Sequence, residues 1–152
     1  MQEQVTFLGH IVEHGTLGME ESKVEAVQKW EPMGQNRTKV QVPEFLGFCN
    51  YYRHFINHYS DIAKPLTSLT GNVHYQWVPE QDKAFYTLQR AVTTAPLLKQ
   101  FNRGLPTRLE TDASNQAVVV VLEQQHGYAW HPVEYYSSTL TQPQRNWPIH
   151  DK

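Results

Sequence analysis

A single cysteine, Cys49, stands in 152 residues, which excludes an internal disulfide and fits a reducing compartment. Excess positive charge is missing too: 13 Lys and Arg face 15 Asp and Glu, for a formal net charge of −2. Strong non-specific nucleic-acid binders are usually basic, so composition makes no electrostatic case for one. Neither half compensates, since residues 1–78 carry six basic and eight acidic groups and residues 79–152 carry seven of each. The eight histidines add positive charge only below about pH 6.5. No apolar run approaches the roughly 18 residues of a membrane span, and the N-terminus lacks a signal-peptide pattern. Repeats, low-complexity tracts and charge runs are absent. These absences lead us to expect an intracellular protein, cytoplasmic or nuclear, without a membrane partner. What is present is 39% apolar and 12% aromatic residues, enough to argue against disorder and to fill one ordinary domain or two small ones.

The order of patterns is hairpin, helices, then strands, which predicts an α+β fold. VTFLGHIVEHGTLGM places β-formers on both sides of a turn marked by Gly15 and Gly18. In EESKVEAVQKW, Val24, Val27 and Trp30 recur at helical spacing behind first-turn acids, and EPMGQNR reads as a loop. Phe45, Phe48, Cys49, Tyr52, Phe55 and Ile56 trace one apolar helix stripe, followed by a shorter helix near DIAKPLTSLT. Thr38 and Gln41 could form a capping box, but Pro43 inside that helix would cost about 3 kcal/mol, so the helix is expected to begin at Pro43. A further helix starts at Pro79, with Glu80 and Asp82 suiting its dipole and Ala84, Phe85, Leu88, Ala91 and Val92 as its stripe. Thr107–Asp112, Gln116–Glu123 and His131–Ser137 then read as three strands separated by polar turns.

RLETDASNQAVVVVLEQQ, from Arg108 to Gln125, sets two carboxylates before an apolar run. On a strand, Glu110 and Asp112 point to the same side, where they could form a metal or acid/base site or a solvated strand end. His54 and His58 have the i, i+4 spacing of metal ligands but no nearby third ligand, and read as surface histidines. His10 and His14 carry no metal reading. Cys49 falls on the apolar stripe and reads as a buried, inert thiol.

Taken in order, several motifs form a longer pattern: FLGH at 7–10, KVEAVQKW at 23–30, FLGFCNYYRHFI at 45–56 and IAKPLTSLT at 62–70. KAFYTLQRAV at 83–92, APLL at 95–98, LETDAS at 109–114, HPVEYYSSTL at 131–140 and RNWPIHDK at 145–152 follow. This succession closely resembles the pol polyprotein of Gypsy-type LTR retrotransposons, over essentially the whole chain. The resemblance implies the end of the reverse-transcriptase palm with its primer-grip hairpin at 1–18, the thumb at 19–78, and a connecting helix and linker at 79–104. A truncated RNase H-like domain would follow at 105–152, contributing the first strands of a mixed sheet. It implies that Phe7, Leu8, Gly9 and His10 form the primer grip, and that the helix around Gly47 tracks a template–primer or RNA–DNA hybrid. Gly47 lacks a side chain where a backbone could approach nucleic acid, and Asn50, Tyr51 and His54 lie on its side of that helix. Arg53 would join them as a nucleic-acid contact. Asp112 corresponds to the first RNase H aspartate, which in the parent family shares two Mg²⁺ ions with further acids.

Departures from that pattern shape the functional expectation. The polymerase aspartates lie upstream of FLGH in the family, and the glutamate that follows the final lysine there is the second metal ligand. Asp112 is therefore expected to be vestigial and this chain to need no cofactor of its own. Val119 and Val120 stand where Gly-Ala is usual, which crowds a site normally kept small. Val78 replaces a Thr or Ser cap, a loss of about 1 kcal/mol. Pro43, His54 and Ser138 each replace a residue that is usually basic. The leading expectation is a catalytically incomplete reverse transcriptase/RNase H fragment with residual duplex binding. One alternative is a retroelement-derived module that contacts a protein partner or a second copy through an uncovered half-sheet. The other is part of an RNA-directed DNA polymerase/RNase H enzyme completed by missing sequence.

Overall fold

The computed structural model describes residues 4–31, 41–114 and 116–146, and over them the chain is α+β, with five helices and two antiparallel sheets. The first segment is a three-stranded meander rather than one hairpin: β1 (Gln4–Phe7), β2 (His10–Glu13) and β3 (Thr16–Met19). Two two-residue turns make the difference. Leu8 and Gly9 take φ of 50° and 77°, and His14 and Gly15 take 44° and 75°. Positive φ at both central residues gives the turn the twist that adjacent strands need. Gly18 is no turn residue: it is buried inside β3 opposite Ile11, and a Cβ there would lie 2.7 Å from Leu97 Cδ2. The short β4 (Leu98–Lys99) completes the sheet by pairing with Leu17 and Thr16.

Between these distant strands lie α1 (Glu21–Gln28), α2 (Gln41–Tyr51), a 3-10 turn at Arg53–Phe55, α3 (Tyr59–Thr67) and α4 (Pro79–Thr93). Helical geometry already holds at Gln41, so the expected start at Pro43 is corrected: a proline near a helix's start removes an amide that has no intrahelical acceptor. Thr38 and most of the EPMGQNR loop lie outside the described residues. At α4 the missing Thr or Ser cap is offset from the other side, because the Val78 N–H donates to Gln81 Oε1 at 3.1 Å.

Most of the expected apolar stripes meet in one core, while Tyr52 and Phe55 join Leu98 in a second, smaller cluster. Phe45 and Phe85 are fully buried with ring centroids 4.6 Å apart, and Trp30 packs edge-on against Phe45 at 5.5 Å. Each such ring contributes about 1.5–3 kcal/mol by burial. Polar atoms fix the register of α1 on α4. Gln89 Nε2 donates to the carbonyls of Val27 at 2.8 Å, beside the Trp30 N–H, and Trp30 at 3.0 Å, past the end of α1.

The second sheet runs in the order β5 (Thr107–Ala113), β6 (Ala117–His126), β7 (Ala129–Thr139), followed by the single turn α5 (Gln142–Arg145). Its described strands are antiparallel throughout and extend past the expected ends, with Gly127 at φ 65° closing the tight β6–β7 turn. The face carrying Val119, Tyr135 and Ser137 is turned toward the helices. The Ser60 N–H donates to Ser137 Oγ at 2.8 Å, and Tyr135 packs on the cluster of Tyr52, Phe55 and Leu98. Lys64 Nζ also donates to Gln116 Oε1. The opposite face is more open, with Leu109 64% and Tyr136 47% exposed.

Candidate nucleic-acid interface

The β1–β2 turn and the C-terminal end of α2 are tied together by side chains 43 positions away. The Tyr51 hydroxyl donates to the Leu8 carbonyl at 2.7 Å, and the Tyr52 hydroxyl donates to the Gly9 carbonyl at 3.1 Å. His10 packs its ring among Tyr51 and Tyr52, each 5.4 Å away, and Phe55 at 5.7 Å, while its Nδ1–H donates to the Leu8 carbonyl. Burial foremost, and then the neighbouring Tyr51 and Glu20, push the Tyr52 hydroxyl up to about 12, so it remains a donor at neutral pH. The result is a fixed ledge: Phe7, Leu8 and Tyr51 stay exposed above it, and Lys23 of α1 lines the hollow beside them.

Gly47, Asn50 and Arg53 are exposed on the same stretch of chain, and a Cβ added to Gly47 would meet nothing within 4 Å. Backbone approach at Gly47 is therefore unobstructed. His54 does not continue that helix face, which corrects the expectation for it. The helix gives way to the 3-10 turn at Arg53, and His54 Nδ1 instead lies 2.7 Å from Glu134 Oε1 of β7. His58 takes a left-handed φ of 57°, and its Nδ1 lies 3.6 Å from Asp61 Oδ2. The two imidazoles thus each face a carboxylate and do not converge.

Glu110 and Asp112 do share a face, as their spacing predicts. They pair with Val121 and Val119 and line a cavity of about 450 Å³ with Asn57 and His58. Two residues of strand separate their Cα atoms by about 6.7 Å. No group of three or more His, Cys, Asp or Glu positioned to hold a metal exists among the described residues. Two Mg²⁺ ions need several carboxylate oxygens in fixed positions, so the described residues do not fit that pair of ions. Cys49 is fully buried, and burial pushes its thiol up to about 12, which leaves it unreactive. Among the described residues no helix is long and apolar enough to cross a membrane.

Residue order could not show that Tyr52 anchors the turn as well as filling the core, because its partner is set by tertiary folding. Lys23 was likewise missed, although KVEAVQKW places it on a helix directly after the meander.

The fold defines a class, the region of a reverse transcriptase where helices behind a β-meander join an RNase H-like sheet. The chain is similar to foamy viral protease–reverse transcriptase in complex with double-stranded DNA, with a TM-score of 0.82 and 22% identity, over 100% of this chain and 26% of that one. It is similar to the same viral protein in complex with an RNA/DNA hybrid, with a TM-score of 0.81 and 22% identity, over 98% of this chain and 20% of that one. At that identity the likeness is one of fold. Residues 77–152 match the RNase H-like domain found in reverse transcriptase, and the chain belongs to that family. The transposon Tf2-3 and Tf2-4 polyproteins of Schizosaccharomyces pombe (strain 972 / ATCC 24843) are 35% identical over 154 residues, covering 99% of this chain and 11% of theirs. The resemblance to Gypsy-type retrotransposon pol polyproteins is borne out by these relatives. The chain spans about a tenth of the length of the curated relatives it matches.

Proposed function

We propose that this chain holds a nucleic-acid duplex, a template–primer or an RNA–DNA hybrid, and does no catalysis by itself. The observation that carries this reading is the pair of tyrosine hydroxyl bonds that fix the Leu8–Gly9 turn to α2. They hold Phe7, Leu8, Gly9 and His10 beside Tyr51 as one preorganised ledge, which lowers the ordering cost of binding, and Gly47, Asn50 and Arg53 are exposed along the adjoining stretch of chain. The solved proteins of the same fold are complexes with double-stranded DNA and with an RNA/DNA hybrid, which supports a duplex as the ligand. In this reading residues 1–18 are the end of the palm, 19–78 the thumb, 79–104 the connection and 105–152 the RNase H-like part. Asp112 is then the relic of a metal ligand, and Mg²⁺ belongs to the parent enzymes rather than to this chain.

The test is a salt titration of binding to a labelled RNA–DNA hybrid. Arg53→Gln should weaken binding and flatten the slope of log K against log salt by about 0.9, the share of one phosphate contact. An absence of hybrid binding at low salt would sink the proposal. The open face of β5–β7, with Leu109 and Tyr136 exposed, favours a second reading as a protein-contact module. Sedimentation showing only monomer at every concentration, with no hybrid binding lost on Arg53→Gln, would remove both readings.

A further inference from the structure

A second basic site lies at the far end of β2 from the Leu8–Gly9 turn. Four residues of strand, rising about 3.4 Å each, separate the two ends by about 14 Å. Here His14 and Gly15 of the β2–β3 turn, Lys99 of β4, Arg103 of the following loop and His126 of β6 line one cavity of about 360 Å³. No carboxylate among the described residues lines it. In a chain of net charge −2, two permanent cations and two imidazoles have gathered at one place. His126 also leaves its Nε2 buried without a hydrogen-bond partner. His14 Nδ1 lies 3.5 Å from Glu13 Oε1, and Glu13 does not line the cavity.

The loop that builds this cavity is held in place. Fully buried Gln124 accepts from the Asn102 N–H at 2.8 Å and donates to the Asn102 carbonyl and to Thr107 Oγ1, each at 2.8 Å. The Gln100 N–H donates to the Gly15 carbonyl at 2.8 Å, and the Gly104 N–H donates to Asn102 Oδ1 at 2.9 Å. Between the cations, Phe101 stands 54% exposed on the cavity wall. A buried glutamine spent on fixing an otherwise exposed loop, with an aromatic ring turned outward, is the arrangement of a binding site rather than of a core.

We propose that this cavity binds a phosphate of a single-stranded nucleic acid, with a neighbouring base stacked on Phe101. Lys99 and Arg103 supply charge to the phosphate, and Arg103 can grip two of its oxygens at once. The stacking partner selects a single strand, because bases in a duplex already stack on one another and leave no free face for Phe101. The site is separate from the duplex ledge and does not depend on it.

The experiment is fluorescence anisotropy of the full chain with a short labelled oligothymidylate. The double variant Lys99→Gln/Arg103→Gln should bind at least about tenfold more weakly, and its salt slope should fall by about 0.7, one single-strand phosphate contact. Phe101→Ala should lose about tenfold as well. Lys99→Arg/Arg103→Lys, which keeps the charge but moves the two-oxygen grip, should keep the parent salt slope and bind more tightly than Lys99→Gln/Arg103→Gln, and circular dichroism checks that every variant is folded. Unchanged affinity and slope in Lys99→Gln/Arg103→Gln would overturn the site. Inorganic phosphate competing as well as the oligonucleotide, with Phe101→Ala unaffected, would overturn the nucleic-acid assignment. Hybrid binding is measured in parallel with Arg53→Gln, so a failure of the duplex reading registers separately.

Discussion

Replacing Gly9 with alanine strains the turn of the duplex ledge and strikes one of the two tyrosine bonds that hold it. Gly9 has φ +77°, and an L-residue held there costs about 1–2 kcal/mol. Its new methyl carbon would sit 2.6 Å from the Tyr52 hydroxyl, well inside contact distance, so that hydroxyl must move. Moving it breaks the 3.1 Å bond to the Gly9 carbonyl, a net loss of about 1 kcal/mol. Tyr52 is only 2% exposed, so an unpartnered hydroxyl adds about 1 kcal/mol or more. The sum is about 3 kcal/mol, and with a urea slope of about 2 kcal/mol per molar the unfolding midpoint should drop by about 1.5 M. Tyr52→Phe separates the two causes. In that background Gly9→Ala has no hydroxyl to displace and should cost only the backbone strain, a coupling of about 1–2 kcal/mol. Equal costs of Gly9→Ala in both backgrounds would refute the reasoning.

Gln124→Leu should cost about 1–3 kcal/mol by leaving the Asn102 amide without an acceptor and its carbonyl with the Leu105 N–H alone, and hydrogen exchange at Asn102 should accelerate before global unfolding does. Above about pH 9 the unfolded chain releases the Cys49 proton while the folded chain keeps it to about 12, so stability is intact below that range and falls by about 1.4 kcal/mol per pH unit within it. Urea midpoints at mild and at alkaline pH should therefore diverge less in Cys49→Ala than in the parent chain. Millimolar Mg²⁺ should leave the thermal midpoint of the chain unchanged, as it should that of Glu110→Gln/Asp112→Asn. A Mg²⁺-induced rise abolished by Asp112→Asn would show that the acid pair still holds a metal. Gln89→Ala should cost about 1–2 kcal/mol, read by urea unfolding, because the Trp30 carbonyl loses the Gln89 amide and the Val27 carbonyl keeps only the Trp30 N–H.

The helical half was legible because burial there follows a local period. Phe45, Cys49, Phe85, Leu88 and Val92 recur every three or four residues, and each proves buried. The meander was half legible. His14-Gly15 carries the glycine that a two-residue turn favours, whereas Leu8 at positive φ is a choice that no propensity suggests. The pairing of β3 with β4 had no local signature, since two-residue Leu98–Lys99 becomes a strand only through a partner far back in the chain. The same reason hid the basic cavity and the tyrosine bonds that hold the ledge, though the resemblance had indicated the ledge residues themselves. Glu110 and Asp112 could be placed on one face by alternation alone, but the tyrosine-held ledge and the basic cavity are each assembled from separated segments. His54 misled because a helical period was carried three residues past the end of α2.

The pairing of Thr16 with Lys99 also sets an order of events during synthesis. When β3 leaves the ribosome its second edge has no partner, and none exists until about eighty further residues have been made. At roughly 5–20 residues per second that edge stays open for about 4–16 s, long enough for the intervening helices to form many times over. Through that interval the nascent meander offers a bare strand to any other chain being made nearby. Arrival of Lys99 closes the edge, and the same stroke delivers the loop that carries Phe101 and Arg103 to its place beside Gly15.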